Sequence, residues 1–561
     1  MIRSQGPRQR QRRGHVGAER PARPRDALAT LAVLLTLAAG VGACGGRPDL
    51  WSHPIGKLQT VGLAQSVALI DPQARRIVSL GASADGTLSI RRTPTARATV
   101  AAAAAPDGRT LYLLSAGHRA TLGDPIADEH PRLTAFDDGP AAPIEIELGL
   151  TDPLDGLIID PTGHWAVVYA ASDHGTALVT NPNELVIVDL VAHSAWHHTV
   201  HSFGGRPDRL IVTPMLALPN GPAQLLIVQS QQDLALLPLD ANQTNPSDDR
   251  EITVRLADQT TTARPPPAEV VVDDGDPASA ADARIGIRFQ GDSNVMVLQL
   301  DAASGGTAGF LPSVNVTDVG GVPSAIAFVR TDGGLRLAAL VPSARQAVLI
   351  DPVPTISTAV TLPAPYQRLS LVTASAGVTG GPDVALLWQG GGVATGVAFW
   401  ELGQVADRPF RSIEVVAVGA QVTAVLDVPL KDAALKVLAG ANDETFYVLD
   451  LQARTAAPLV ASASHAVLTV SPTGARVWTF LPQGTGVAST DVISKRVRTL
   501  RADSPIDEVF EIGHATGDGR SLLAMHETGA FGATLYDVDA PDDSARRIYG
   551  GLLEEGDYEG Q

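Results

Sequence analysis

The pentapeptide Leu185-Val186-Ile187-Val188-Asp189 is one copy of a phrase that recurs through the chain, an apolar strand ending in an acid. Its ten copies end at Asp71, Asp137, Asp189, Asp240, Asp301, Asp351, Glu401, Asp450, Asp491 and Asp537. Successive acids are separated by 66, 52, 51, 61, 50, 50, 49, 41 and 46 residues. This nearly constant period indicates a repeat architecture in which each repeat is one supersecondary unit.

A second phrase precedes several of these acids and consists of two short strands around a glycine-containing turn. The clearest copies are centred on Pro106-Asp107-Gly108, Pro161-Thr162-Gly163 and Pro472-Thr473-Gly474. Glycine supplies the positive φ that a tight hairpin turn requires. Each repeat is therefore predicted to hold two hairpins, or four short strands. Residues 44–561 show no sustained 3.6-residue apolar period, so helices are not predicted there.

Four strands about every 50 residues are typical of a β-propeller blade. The segment from Ile158-Ile159-Asp160-Pro161-Thr162-Gly163 to Leu185-Val186-Ile187-Val188-Asp189 resembles the YVTN and WD40-like propellers of bacteria. Val167-Val168-Tyr169-Ala170 stands where that family has its YVTN tetrapeptide. The resemblance implies a fold and no particular activity. We expect an all-β protein with a single propeller of about eight four-stranded blades, within a range of about seven to nine.

Ten copies of the phrase exceed the usual number of blades, and three explanations stay open. Irregular units could merge, residues 58–92 could share one blade with the C-terminal unit, or two smaller propellers could lie in tandem. Residues 242–269, which include Pro265-Pro266-Pro267, are predicted to form a long surface loop. Residues 302–322 are predicted to form another such loop, or a linker between two propellers.

The start of the chain has the features of a secretory signal. The first 25 residues carry eight arginines against one acid, and residues 27–43 contain no charge. A basic segment followed by a short apolar run and small residues is typical of a signal peptide. The run ends in Val41-Gly42-Ala43-Cys44, which resembles the lipobox of bacterial lipoproteins. The resemblance implies that Cys44 is diacylated and becomes the mature N-terminus.

Two alternatives to a lipoprotein signal stay open, namely a plain secretory signal and a transmembrane anchor. Residues 27–43 number 17, near the lower limit for spanning a hydrocarbon core of ~30 Å. The predicted organisation is a lipoprotein signal peptide over residues 1–43, a lipidated tether over 44–57, a propeller over 58–550 and an acidic tail over 551–561. The lipid implies a location in the cell envelope. In a Gram-negative cell Gly45 favours the outer membrane, at its periplasmic face or at the cell surface.

Charge and cysteine content exclude several classes of partner. Residues 1–43 hold eight of the 42 basic residues and two of the 60 acidic ones, so the remainder has 34 basic and 58 acidic residues, a net charge of −24. Such a body repels nucleic acid and anionic lipid surfaces, and we expect no nucleic-acid partner. Cys44 is the only cysteine, which leaves no residue for a disulfide or a thiolate metal site.

Four histidines cluster after one acid-ended strand, at His193, His197, His198 and His201. On the predicted outermost strand of a blade, His198 faces away from His197 and His201. The latter two lie about 13 Å apart along a strand, too far to share a metal ion ligated at ~2 Å. A polar edge strand is therefore predicted here, and no metal site. Asp273-Asp274-Gly275-Asp276 lacks the spacing of a calcium loop and is predicted to be a solvated turn.

Catalytic motifs are absent from the sequence. Gly81-Ala82-Ser83-Ala84-Asp85 approaches a nucleophile elbow but lacks the last glycine. His526-Glu527 is not followed by the second histidine of a zinc-protease motif. The sequence therefore assigns no catalytic residue and no cofactor.

Three functions remain under consideration. The first is a membrane-anchored lipoprotein whose propeller is a non-enzymatic scaffold that binds an unidentified protein or a ligand. The second is a propeller enzyme of the sugar-lactonase or hydrolase type, which needs carboxylates and a histidine converging in the central channel. The third is a surface adhesion or carbohydrate-binding module. Converging ionisable groups in the channel would favour the enzyme, and a lining of Ala, Gly and Thr would favour the scaffold.

Overall fold

The computed structural model describes residues 58–549 except for internal gaps. The gaps are residues 84, 86, 119–127, 140, 151, 153, 172–180, 202–205, 240–249, 257–264, 275–282, 304–308, 352–355, 373–381, 390–395, 406–411, 431–432, 441–444, 461–466, 516–517, 527–531 and 540–545. The chain divides at Gly56 into two units, and the described residues all belong to the second, Lys57–Gln561.

The described residues form ten antiparallel sheets, in which strands that follow one another in sequence pair with one another. We number these sheets as blades 1 to 10 in chain order. The strands of blades 1 to 5 are β1 (Gln59–Gly62), β2 (Ser66–Asp71), β3 (Arg76–Ala82) and β4 (Leu88–Pro94); β5 (Thr99–Ala104), β6 (Thr110–Ser115), β7 (Arg132–Asp137) and β8 (Ile144–Glu147); β9 (Gly156–Ile159), β10 (Trp165–Tyr169), β11 (Glu184–Asp189) and β12 (Ser194–Thr199); β13 (Arg209–Val212), β14 (Leu216–Leu218), β15 (Gly221–Gln229), β16 (Asp233–Leu239) and β17 (Ile252–Arg255); β18 (Pro267–Asp273), β19 (Arg284–Phe289), β20 (Asn294–Ala302) and β21 (Phe310–Asp318). Blade 4 thus has a fifth strand, β14, which pairs only with β15.

Blades 6 to 10 repeat the same four-stranded order. Their elements are β22 (Ala325–Thr331), β23 (Gly334–Val341), the 3-10 helix η1 (Pro342–Ala344), β24 (Gln346–Asp351) and β25 (Ile356–Thr361); β26 (Arg368–Val372), β27 (Val384–Trp388), β28 (Val397–Glu401), the 3-10 helix η2 (Leu402–Gln404) and β29 (Ile413–Val416); β30 (Val422–Asp427), β31 (Leu435–Gly440), β32 (Thr445–Asp450) and β33 (Thr455–Val460); β34 (Val467–Val470), β35 (Arg476–Phe480), β36 (Gly486–Asp491) and β37 (Val497–Arg501); β38 (Ile506–Gly513), β39 (Arg520–His526), β40 (Ala533–Asp537) and β41 (Arg547–Tyr549). The described part of the chain holds no helix with the length and hydropathy needed to cross a bilayer.

Ten clusters of buried apolar side chains join the blades into one closed ring. Each cluster combines residues of two neighbouring blades, and together they cover every boundary from blade 1–2 to blade 9–10 and the boundary between blades 10 and 1. Apolar burial of this kind is the dominant favourable term in folding. The all-β single propeller predicted from the sequence is confirmed.

The number of blades is ten, so the predicted range of seven to nine was wrong. Every copy of the acid-ended phrase belongs to a separate blade, and no two units merge. The strand is the third of its blade's four-stranded path in nine cases, whereas Asp71 ends β2, the second strand of blade 1. This shift by one strand explains the long interval between Asp71 and Asp137.

The ring closes by side-chain packing between two complete blades. Leu69 and Leu80 of blade 1 pack in one cluster with Ile512 and Leu523 of blade 10. The Gly513 amide also donates to the Ala64 carbonyl at 2.9 Å. Because blades 1 and 10 each contain four strands of their own, residues 58–92 share no blade with the C-terminal unit. The alternatives of a shared blade and of two tandem propellers are therefore both wrong.

Both predicted long loops contain strands. Residues 242–269 include β17 and the start of β18, and residues 302–322 include the nine-residue strand β21. Strand β21 is the outermost strand of blade 5 and pairs along its length with β20. Its mostly exposed side chains and Pro312 are tolerated because an edge strand needs neither a buried face nor every backbone donor. Residues 302–322 are therefore no linker, since a single cluster joins blades 5 and 6 across them.

Candidate functional site

The first strand of each blade lies at the centre of the ring. First strands of neighbouring blades approach one another, as β1 approaches β5, β5 approaches β9 and β18 approaches β22. Their described side chains are mainly aliphatic and partly exposed. The sequences of four of them are TVAAAA (β5), GLII (β9), RLSLV (β26) and VLTV (β34). Aliphatic residues thus dominate these four central strands, whereas β18, β30 and β38 also carry acids.

Four carboxylates on or beside these central strands bind the neighbouring blade, and we call them the inter-blade carboxylates. Glu269 accepts hydrogen bonds from Arg288 in its own blade (2.6 Å) and from the Ile326 amide of blade 6 (3.2 Å). Glu511 accepts hydrogen bonds from Arg520 in its own blade (2.5 Å) and from the Trp478 indole of blade 9 (2.8 Å).

The other two inter-blade carboxylates are Glu508 and Asp160. Glu508 of blade 10 accepts a hydrogen bond from the Thr60 hydroxyl of blade 1, across the ring closure. Asp160 follows β9 and is fully buried. It accepts hydrogen bonds from the Trp165 amide at 2.7 Å and from the Gln224 side chain of blade 4 at 2.9 Å.

The environment of Asp160 stabilises its ionised form. Burial by itself raises the pKa of this carboxyl group, but hydrogen bonds from Thr162, Gln224 and the Trp165 amide outweigh it, so the pKa lies below its ordinary value. Asp160 begins the turn Asp160-Pro161-Thr162-Gly163, and Gly163 has a φ of 74°. The sequence predicted this turn and its glycine, but it did not reveal the bond to Gln224, which lies 64 residues away.

The acids that end the repeated strands mostly organise turns, as predicted. The Oδ1 atoms of Asp189, Asp450 and Asp491 each accept hydrogen bonds from the amides two and three residues later. The residue four positions after the acid adopts a left-handed conformation, with φ of 52° at His193 and 60° at Lys495. The repeated acids therefore have a structural role at these positions.

The histidine segment forms β12, which is the outermost strand of blade 3, as predicted. His197 binds Glu184 (Nδ1 to Oε1, 2.7 Å) and the Leu148 carbonyl, whereas His198 points the opposite way and binds Glu251 of blade 4 (Nε2 to Oε2, 2.8 Å). The prediction that His198 faces away from His197 is thus confirmed.

The predicted orientation of His201 was wrong. Strand β12 ends at Thr199, so the two-residue alternation does not extend to His201. Its backbone amide donates to both oxygens of Glu251 at 3.1 Å, and its ring stands 6.3 Å from that of His198. Thus His198 and His201 share one carboxylate. Within the described residues, no group of three or more His, Cys, Asp or Glu side chains is arranged to hold a metal ion.

Glu251 is the central residue of this contact between blades 3 and 4, and sequence analysis missed it. Its side chain is 1% exposed. Burial raises the pKa of its carboxyl group. Hydrogen bonds from His198, the His201 amide and Thr253 together lower this pKa by more than burial raises it, so the pKa lies below its ordinary value. Glu251 lies in a polar stretch before the short strand β17, where no pattern distinguishes it from exposed acids.

The remaining singled-out residues have structural contacts or lie outside the described residues. Ser83 donates to Asp85 at 2.6 Å, and His526 contacts Thr534 at 2.6 Å. Gly275, Asp276 and the predicted lipidation site, Cys44 with Val41, Gly42 and Ala43, lie outside the described residues.

Comparisons with known proteins add one structural similarity. No family model matches the chain, and no curated protein matches it. The structure of dihydro-heme d1 dehydrogenase NirN in complex with DHE is similar with a TM-score of 0.38 and 15% sequence identity, over 82% of this chain and 76% of that chain. The propeller of ten blades is established here by the order of the strands and the closed ring of core clusters.

Proposed function

We propose that this protein is a lipoprotein of the YVTN and WD40-like propeller type, whose ten-bladed ring is a non-enzymatic scaffold that binds an envelope protein. Cys44 would carry the lipid, and the sequence Val41-Gly42-Ala43-Cys44 supports this assignment. The lipid would hold the ring in the cell envelope.

One observation carries the scaffold role: the inter-blade carboxylates Asp160, Glu269, Glu508 and Glu511 are all engaged in hydrogen bonds that join blades. A lactonase-type site needs carboxylates available for an ion or a reacting water. Acids that accept hydrogen bonds from amides, a hydroxyl and an indole of the neighbouring blade instead stabilise the relative positions of the blades. A rigid ring of this kind presents its loops in fixed positions, which lowers the entropic cost of binding a partner.

The lipid anchor is tested by fractionation of cells that express the full-length protein. Wild-type protein is expected to remain in membranes after a carbonate wash and to show the mass of a diacylated N-terminus. The Cys44→Ala variant is expected to appear in the wash, whereas the neighbouring Gly45→Ala variant should behave as wild type. Retention of the Cys44→Ala variant in washed membranes would contradict the anchor.

The scaffold role is tested separately by a pull-down from gently solubilised native membranes, followed by mass spectrometry. A partner recovered in stoichiometric amounts with the wild-type protein, and also with purified Cys44→Ala protein added to the same membrane extract, would support binding through the propeller. Recovery of no partner, together with turnover of lactone substrates that the Glu269→Gln variant loses, would overturn it in favour of the enzyme.

A further inference from the structure

A cavity of ≈ 310 Å³ lies between blades 6 and 7. Its floor consists of Leu349 and Val360 of blade 6 together with Leu402 and Val405 of blade 7, all of them buried. The volume is at the lower end of the range for small-molecule sites. The cavity therefore offers an apolar compartment for a compact ligand.

The mouth of the cavity is polar and contains one acidic side chain, Asp332, and one basic side chain, Arg336. Arg336 lines it and forms an ion pair with Asp351 at 2.9 Å (Nη1 to Oδ2). Asp332 lies in the exposed turn between β22 and β23. Within the described part of the chain, its carboxylate has no hydrogen-bond or ion-pair partner. Arg336 is paired with Asp351, which lies outside the cavity lining, so Asp332 supplies the negative charge at the mouth.

The turn geometry keeps the guanidinium in place. A Cβ on Gly333 would lie 2.9 Å from Nη2 of Arg336, so the guanidinium packs over this glycine. A Cβ on Gly403 would lie 3.2 Å from Oδ1 of Asp332, which places that carboxylate against the 3-10 helix η2 of blade 7. The Asp332 carboxylate thus stands beside Leu402, at the edge of the apolar floor.

We propose that this cavity binds a small amphipathic amine, with its ammonium group at Asp332 and its apolar body on Leu349, Val360, Leu402 and Val405. An ammonium complements the Asp332 carboxylate. A carboxylate ligand would be repelled by Asp332 and would find Arg336 already paired with Asp351. Apolar contact drives entry, and the ionic contact sets the orientation. The site lies on the boundary between two blades and is independent of the scaffold role proposed above.

Calorimetry with phenethylamine and phenylacetate tests the sign of the charge. Phenethylamine is expected to bind saturably and phenylacetate is not. The Asp332→Asn variant should weaken binding of the amine about fivefold, because the pair it removes is exposed and worth ~1 kcal/mol. Equal or tighter binding of phenylacetate, an unchanged affinity in Asp332→Asn, or no saturable binding of the amine would overturn the proposal.

Two phenylalanine substitutions on strand β25 test the location. Ala359 lines the cavity and is exposed, so Ala359→Phe is expected to fill the cavity and abolish binding without disturbing the core. Ser357 is exposed on the same strand and does not line the cavity, so Ser357→Phe should bind as wild type. Binding retained by Ala359→Phe would place the amine elsewhere.

Trp400 supplies a second readout. It is fully buried in the same cluster as Leu402 and Val405, and its indole N–H has no hydrogen-bond partner among the described residues. Its fluorescence is expected to change as phenethylamine binds, with the same affinity that calorimetry measures. The Trp400→Phe variant should lose this change and keep the calorimetric signal. A saturable calorimetric signal without a fluorescence change in the wild-type protein would contradict a binding site next to this cluster.

Discussion

The side-chain amide of Gln224 in blade 4 donates to the buried carboxylate of Asp160 in blade 3, with 2.9 Å between Nε2 and Oδ2. The Asp160→Ala variant leaves this amide and the amides of Thr162 and Trp165 without their acceptor. We expect it to lower the free energy of unfolding by about 3 kcal/mol, since hydrogen bonds to charged groups are strong and unsatisfied buried donors are costly. Denaturant unfolding followed by tryptophan fluorescence measures this loss.

The matched control is Asp107→Ala in the corresponding turn of blade 2. Asp107 is exposed and accepts one hydrogen bond, from the Arg109 amide at 2.8 Å. We expect a loss of about 0.5 kcal/mol, as is usual for surface positions. Similar losses in the two variants would show that the bond between the blades adds nothing to the turn itself.

The contact between His198 and Glu251 predicts a dependence of stability on acid pH. Because the folded-state pKa of Glu251 lies below its ordinary value of 4.5, its ionised form stabilises the fold. That contribution is fully present above pH 4.5 and is lost as the pH falls through the folded-state pKa. The melting temperatures of wild type and Glu251→Gln should therefore differ most near pH 6 to 7 and converge as the pH falls toward about 3.

The control for this experiment is Glu184→Gln. Glu184 begins β11 and binds His197, on the other face of β12 from His198. The Glu184 side chain is 24% exposed where it binds His197, so solvent screens the pair. Its substitution should change the melting temperature much less than Glu251→Gln at neutral pH. A constant gap between wild type and Glu251→Gln from pH 7 to 3 would refute the role assigned to the ionised carboxylate.

Two turn residues of blade 9 have a positive φ, and their substitutions are expected to change the stability of the protein in opposite directions. Lys495 has a φ of 60°, so Lys495→Gly is expected to stabilise the protein by about 0.5 kcal/mol, the relief of strain exceeding the entropy added to the unfolded chain. Gly474 has a φ of 73°, and a Cβ there would lie 2.9 Å from the Leu430 amide nitrogen. Gly474→Ala should lower the free energy of unfolding by about 2 kcal/mol. Thermal unfolding of both variants decides whether the signs differ.

The ring closure predicts that the boundary between blades 10 and 1 is as stable as any other. Leu80 is fully buried at the closure, and Leu236 is fully buried between blades 4 and 5. Replacement of either leucine by alanine should lower the free energy of unfolding by about 3 kcal/mol, because apolar contacts are lost and a cavity is left behind. Hydrogen exchange at β3 and β16, the strands that contain Leu80 and Leu236, would report the local effect. A much larger loss with Leu80→Ala would indicate a closure that depends on more than this cluster.

The strands and their turns could be predicted because their causes are local. The phrase at Leu185–Asp189 shows the apolar run of a buried strand and the acid that accepts the amides of the following turn. Such patterns depend on neighbours within a few residues. The same reasoning failed at His201, because the end of β12 at Thr199 depends on the path of the chain toward blade 4.

The blade count, Glu251 and the cavity could not be predicted because they depend on distant residues. The prediction of about eight blades came from what is usual for propellers, whereas the actual number follows from how neighbouring blades pack around the ring. Glu251 lies 53 residues from His198. Asp332, Val360 and Leu402 come from three separate elements of two blades, and only the packing of blade 6 on blade 7 brings them to one cavity.

Closure between two complete blades has a consequence for how such a ring changes size. In a propeller whose two chain ends contribute strands to one shared blade, the strands from both ends must together complete that blade. Here each blade is one contiguous segment, from Gln59–Pro94 at the start to Ile506–Tyr549 at the end. Duplication or deletion of one segment would add or remove one complete blade and would leave no strand without its pairing partner. Such a chain can therefore gain or lose one unit at a time, with apolar fit between neighbours as the constraint on the total.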